Sequence, residues 1–216
     1  MSYNFNAETW LIIYPHGAGG RLLSMLLSLD PEMAGLDGEY QSPTRNIEYR
    51  ETILHGVNAH WLDYELSWNK CQLEGRDLIA TAIDCKKYIF SGHMDLVWLD
   101  QTFYAQCKNL KIINLCIDSL VSKKILDLRR ATIQGGKIGS HENTLSQVTP
   151  VLCQQLWGVT TIDIDIVNFW KPTIFIPWFT DFLKDNQLNI DTEKWHDLYV
   201  LWQDKLPNHV RSMLNT

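Results

Sequence analysis

Short apolar runs alternate with helical spacings through much of the chain. Trp10–Tyr14 (WLIIY) is a continuous apolar run of strand length, the pattern of a strand buried on both faces. From about Gly20 the spacing becomes helical. Leu22, Leu23, Met25, Leu26, Leu27 and Leu29 are apolar around Arg21 and Ser24, so this helix is expected to be buried on most sides, with Asp30-Pro31 as its stop. Tyr88–Ser91 (YIFS) reads as a second strand. Asp95 would cap a following helix with Leu96, Leu99 and Phe103 on one face. Lys111–Ile117 (KIINLCI) reads as a third. Asp118 or Ser119 would cap a helix running to about Arg130, with Val121, Ile125 and Leu128 sharing a face. Three strand–helix units in this order predict an α/β fold, with a parallel sheet covered by helices.

The remaining segments are read more coarsely. The stretch 31–87 reads as a short helix and loops. Gly135, Gly136 and Gly139 open a loop that leads to a helix near 144–157. Ile162–Val167 alternates apolar and acidic residues, as an edge strand does. A last helix is expected near 192–204. Asp191 or Thr192 would cap it, Trp195, Leu198, Tyr199 and Trp202 would face the core, and Pro207 would end it. No repeat or linker divides the chain, so a single domain over residues 1–216 is expected.

Composition narrows the class. At 216 residues, 45% hydrophobic and 20% charged, the chain has the balance of a globular domain with a proper core. No window approaches the ~18 apolar residues of a membrane helix. The N-terminus has no basic flank before an apolar stretch, so the expected compartment is cytoplasmic, with no membrane partner. The cysteines number five, and no two lie at C-x-x-C spacing. That argues against a disulfide framework or a cysteine zinc site, and no metal is expected. The net charge of −6 disfavours nucleic acid as a partner and requires a local positive site for any anionic ligand. The nine tryptophans suit either packing or an aromatic acceptor cleft, in which Trp61, Trp68 and Trp98 are candidates.

The candidate chemistry lies between the first strand and the first helix, in Tyr14-Pro15-His16-Gly17-Ala18-Gly19-Gly20-Arg21. At the carboxyl edge of a parallel sheet, such a loop lies where ligands bind. Its glycines let successive N–H groups turn inward. The helix start adds unpaired N–H groups and a positive dipole end, which together make a cradle for phosphate or sulfate. It is not a Walker A loop, because Arg21 and Leu22 stand where a Lys-Ser or Lys-Thr pair is required to hold Mg²⁺. His16-Gly17-Ala18-Gly19-Gly20 also has the look of a hydrolase oxyanion loop. No G-x-S-x-G elbow follows, and Ser91-Gly92 does not fit the spacing.

The same loop resembles the phosphosulfate-binding loop of the cytosolic-type sulfotransferases, roughly Tyr-Pro-Lys-Ser-Gly-Thr-Thr-Trp after the first strand. Tyr14 and Pro15 match, His16 replaces the lysine, and Gly19-Gly20 replace the threonines. Tyr88-Ile89-Phe90-Ser91-Gly92-His93 is similar to that family's strand ending in Lys-Thr-His, and 111–116 to its next strand. The resemblance implies a P-loop-like three-layer α/β/α sandwich and 3′-phosphoadenosine 5′-phosphosulfate as donor. Pro15, Gly17, Ala18, Gly19, Gly20, Arg21 and Leu22 would hold the phosphosulfate. His93 would be the base, His16 would assist the leaving group, and Ser119 and Ser122 would help hold the 3′-phosphate. The acceptor would carry a hydroxyl, whether a small molecule, a sugar or a protein.

Two departures from the family pattern bear on function. Ile117 stands where the family's 3′-phosphate arginine is expected, with Lys123 and Lys124 nearby. The late Arg-Lys-Gly-x-x-Gly stretch is missing, although Arg129 and Arg130 supply charge before Gly135. The leading expectation is a divergent sulfotransferase. The alternatives are a non-catalytic binding protein that keeps the fold with a degenerate donor site, and another P-loop-like nucleotide binder.

Overall fold

The computed structural model describes residues 5–15, 17–37, 52–54, 87–93, 101–133, 140–204, 206 and 208–214, with the backbone alone at 34–37, 52–54, 93, 130–133 and 140–146. Six strands form one sheet: β1 (Glu8–Tyr14), β2 (Met33–Asp37), β3 (Thr52–Leu54), β4 (Lys87–His93), β5 (Asn109–Cys116) and β6 (Thr161–Asp165). Their order is β3-β2-β4-β1-β5-β6. Every neighbouring pair is parallel except β2–β3, which puts one antiparallel strand on an edge.

Helices cover both faces, as parallel strands require. Along β1 the side chains alternate between two cores. Trp10, Ile12 and Tyr14 join one core with α1 (Gly20–Leu27), α3 (Leu120–Ile133), α5 (Ile166–Trp170), α6 (Pro172–Asp185), α7 (Thr192–Asp204) and α8 (Asn208–Leu214). Leu11 and Ile13 join the other, with α2 (Gln101–Tyr104) and α4 (Ser140–Trp157). The first core is strongly aromatic. Phe175 stacks on Tyr199 at 4.6 Å and on Phe179 at 5.1 Å, and the edge of Trp195 meets Phe179 at 5.0 Å.

The expected strands and the α/β class are present, but the edge strand expected over Ile162–Val167 ends at Asp165, whose side chain caps a helix that begins at Ile166. Helix α7 spans the expected range, and Asp191 is its cap, its Oδ1 accepting from the N–H groups of Glu193 and Lys194. Ser119 caps α3, its Oγ accepting from Ser122 N–H. The reading of 31–87 as helix and loops is corrected where that segment is described, because 33–37 and 52–54 are strands. MAGLD and TIL are too short and too poor in alternation to announce themselves. Pairing of Met33, Ala34 and Gly35 beside Lys87, Tyr88 and Ile89 is what makes the first of them a strand. The expected helix from Asp95 is described only as Gln101–Tyr104, and Leu96, Leu99 and Pro207 lie outside the described residues. Among the described residues, no helix is long and apolar enough to cross a membrane.

Candidate functional site

β1 is the central strand, with β4 on one side and β5 on the other. Its crossover runs toward β2, whereas the crossover from β4 runs the opposite way, over β1, to β5. Residues 15–19 therefore leave the carboxyl edge where the strand order reverses, the usual position of a ligand crevice in an open α/β sheet.

Register brings two of the sequence candidates together. Tyr14, the last residue before the loop, is the pairing partner of His93 at the end of β4, and Ile13 pairs with Gly92. The loop thus begins beside the backbone of His93. His16 lies outside the described residues, as do Trp61, Trp68 and Trp98.

The loop is built from a turn and two left-handed residues. Ala18 N–H donates to Pro15 O at 3.0 Å. Gly17 (φ 84°) and Gly19 (φ 94°) occupy the region that side chains rarely enter. Pro15 and Ala18 are buried, while Gly17 and Arg21 are partly exposed. Trp170 Nε1 donates to Ala18 O at 2.7 Å. In a trans peptide the C=O and the following N–H point in opposite directions, so this bond turns Gly19 N–H away from the indole. It also occupies the carbonyl that Leu22 N–H would reach in a regular α-helix. Among the described residues, the N–H groups of Gly19, Gly20 and Leu22 have no acceptor. Unpaired N–H groups at the start of a helix are the kind of donors that can hold an oxyanion.

Two glycines answer to packing as well. A β-carbon on Gly19 would lie 2.9 Å from Phe169 Cε1 and 3.1 Å from Trp202 Cζ2, and one on Gly20 would lie 2.0 Å from Tyr14 Cδ1. The aromatic end of the chain therefore closes the loop from one flank. The guanidinium of Arg129 stacks over the same two indoles, 4.9 Å from Trp170 and 5.2 Å from Trp202. Sequence reasoning noted the charge of Arg129 without placing it. It lies in α3, nine positions after Leu120 and four before the helix ends, and it gave no local sign that it would meet Trp170.

The residues expected at a 3′-phosphate are differently engaged. Ser119 and Ser122 bond each other at 2.7 Å, and Ser122 Oγ donates to Asp165 Oδ2 at 2.5 Å. Asp118 N–H donates to the same carboxylate oxygen at 3.0 Å. Asp165 also caps α5 through Val167 N–H at 2.7 Å. A carboxylate already meets the donors at the start of α3. Ile117 is core, 1% exposed. Lys123 is partly exposed and Lys124 exposed, and for Arg130 only the backbone is described.

Ser91 lies inside β4, buried and paired with Ile12, far from the sharp strand-to-helix elbow that a hydrolase nucleophile occupies. Among the described residues no group of three or more His, Cys, Asp or Glu is arranged to hold a metal ion. A scan against protein-family models and a search of curated proteins find no match to this chain.

Proposed function

We propose that the protein is a sulfotransferase that takes a sulfuryl group from 3′-phosphoadenosine 5′-phosphosulfate and gives it to a hydroxyl acceptor. The observation that carries the reading is the register pairing of Tyr14 with His93. It sets a histidine at the strand end beside a loop whose N–H groups suit an oxyanion. In this reading Gly19, Gly20 and Leu22 N–H hold the 5′-phosphosulfate, with Arg21 at the helix start. His93 takes the acceptor's proton as the acceptor oxygen bonds to sulfur. The bond from sulfur to the bridging oxygen breaks, and that oxygen leaves with its electron pair on the nucleotide's 5′-phosphate. The loop donors stabilise the charge it gains.

A second reading has its own observation. Asp165 sits on Ser122, and Ile117 is core, so the resembling family's 3′-phosphate contacts are not reproduced by these residues. A binding protein with a degenerate donor site fits that arrangement.

Calorimetric titration with 3′-phosphoadenosine 5′-phosphate, with and without Mg²⁺, tests the first reading. Metal-independent binding that weakens in Arg21→Ala supports it, and so does loss of turnover in a folded His93→Ala. A folded protein with no detectable binding overturns it in favour of the second.

A further inference from the structure

Arg129 is the most unusual charge among the described residues. Its guanidinium packs over the faces of Trp170 and Trp202, an arrangement that suits arginine because its cation is planar and weakly hydrated. Nε and Nη1 are sealed from solvent and have no hydrogen-bond partner, while the residue as a whole keeps a partly exposed edge. Burial lowers its pKa to about 10. A buried donor without a partner is costly, and a buried cation without a counter-ion more so. The chain carries a net charge of −6, so acidic groups are plentiful. Among the described residues, none is set against this guanidinium.

The surroundings of Arg129 are those of the loop. Trp170 donates to Ala18 O at 2.7 Å, and Trp202 Cζ2 lies 3.1 Å from where a Gly19 β-carbon would be. The two indoles that carry the cation thus wall the loop together with Phe169, and all three are buried. A charge left uncompensated behind such a wall acts on the loop with little screening.

We propose that Arg129 is the electrostatic determinant of anion binding at the Gly17–Arg21 loop, its charge answered by the ligand's oxyanion in place of a protein carboxylate. Arg129 does not need to touch the ligand, and it is a positioning residue rather than a catalytic one. The inference rests on the reading of the loop as an oxyanion site. It does not depend on which donor carries the oxyanion.

The test uses the full chain, with inorganic sulfate and 3′-phosphoadenosine 5′-phosphate as separate probes, followed by calorimetry and by the fluorescence of the loop tryptophans. Wild type is expected to bind sulfate, and Arg129→Met to bind it about tenfold more weakly, the loss of one poorly screened charge. Arg129→Lys keeps the charge but loses the planar stack, so its affinity is expected to fall by less than that of Arg129→Met. A role in packing alone would not separate Lys from Met in this way. A folded Arg129→Met with wild-type sulfate affinity overturns the proposal. So does a wild type that binds no sulfate. If Arg129→Met does not fold, Arg129→Gln replaces it. If neither neutral variant folds, the proposal stands on Arg129→Lys: retained affinity supports it and lost affinity overturns it. Sulfate binding without nucleotide binding would overturn the donor assignment alone and leave the Arg129 comparison to be read with sulfate.

Discussion

The ring of Tyr14 lies where a β-carbon of Gly20 would be, with Cδ1 only 2.0 Å from that position. The last residue of the first strand and the first residue of the helix after it are therefore fitted to each other across the loop. Gly20→Ala has to displace the ring, and overpacking of this kind costs about 1–3 kcal/mol. Urea unfolding of Gly20→Ala, Tyr14→Ala and the double variant checks it. The double variant is expected to be more stable than the sum of the two single losses.

Trp170→Phe keeps most of the ring and removes the N–H that Ala18 O accepts. A buried carbonyl left without its donor costs about 1–3 kcal/mol. Anion affinity should fall as well, since this bond fixes the peptide that carries Gly19 N–H. A Trp170→Phe protein that loses stability but binds sulfate as tightly as wild type would show that the bond serves packing alone.

Asp30 is fully buried and ties three segments together at the amino edge of the sheet. Lys87 Nζ lies 2.8 Å from its Oδ2, and the N–H groups of Glu32 and Asn189 also donate to its carboxylate. Removing one partner of a buried pair is the damaging change. Asp30→Ala is expected to lose about 3–5 kcal/mol, measured by chemical denaturation, with Lys87→Met adding less in the Asp30→Ala background than in wild type.

Alkaline pH should destabilise the fold before it ionises the surface. Burial, and after it the Asp163 carboxylate, pushes the Cys153 thiol from 9.0 up to about 12. Burial and a hydrogen bond with Asp118 push Cys116 upward too. Above pH 9 the unfolded chain loses these protons while the folded chain keeps them, so stability falls as pH rises from about 9 toward 12. The slope is at most about 1.4 kcal/mol per pH unit for each thiol. Arg129 acts in the opposite sense. Burial lowers its folded value to about 10, well below its ordinary one, so it restores stability as pH climbs above 10. Burial raises the Tyr199 hydroxyl too, so the fall continues above about pH 10 and Arg129 offsets only part of it. Unfolding midpoints at pH 8, 9 and 10 check this, and Cys153→Ala should flatten the profile.

The legible parts of the fold were those where one physical signal acts alone. Trp10–Tyr14, Tyr88–Ser91 and Lys111–Ile117 are buried on both faces, so their apolar runs read directly as strands. Helix α7 carried both a cap and a periodic face. Helix α6 had no such clarity. Ile174, Phe175, Ile176, Trp178 and Phe179 crowd more than one face, so no single periodic stripe marks the segment as a helix. The glycines of the loop were legible as a turn, and the aromatic wall against them was not. Nothing near Gly19 in sequence says that Phe169, Trp170 and Trp202 will meet it. Ser119 was correctly ambiguous, since a helix cap and a phosphate ligand call for the same side chain. Asp165, 43 residues from Ser122, is what engages that pair.

The bond from Trp170 to Ala18 spans 152 residues, and that distance is also a delay. At the usual pace of synthesis, on the order of ten seconds separate the appearance of the loop from the appearance of the indole that fixes it. A nascent chain that has made β1 and α1 holds the glycines without the wall that orients them. The loop therefore lacks its aromatic wall until Trp170 and Trp202 have both been made.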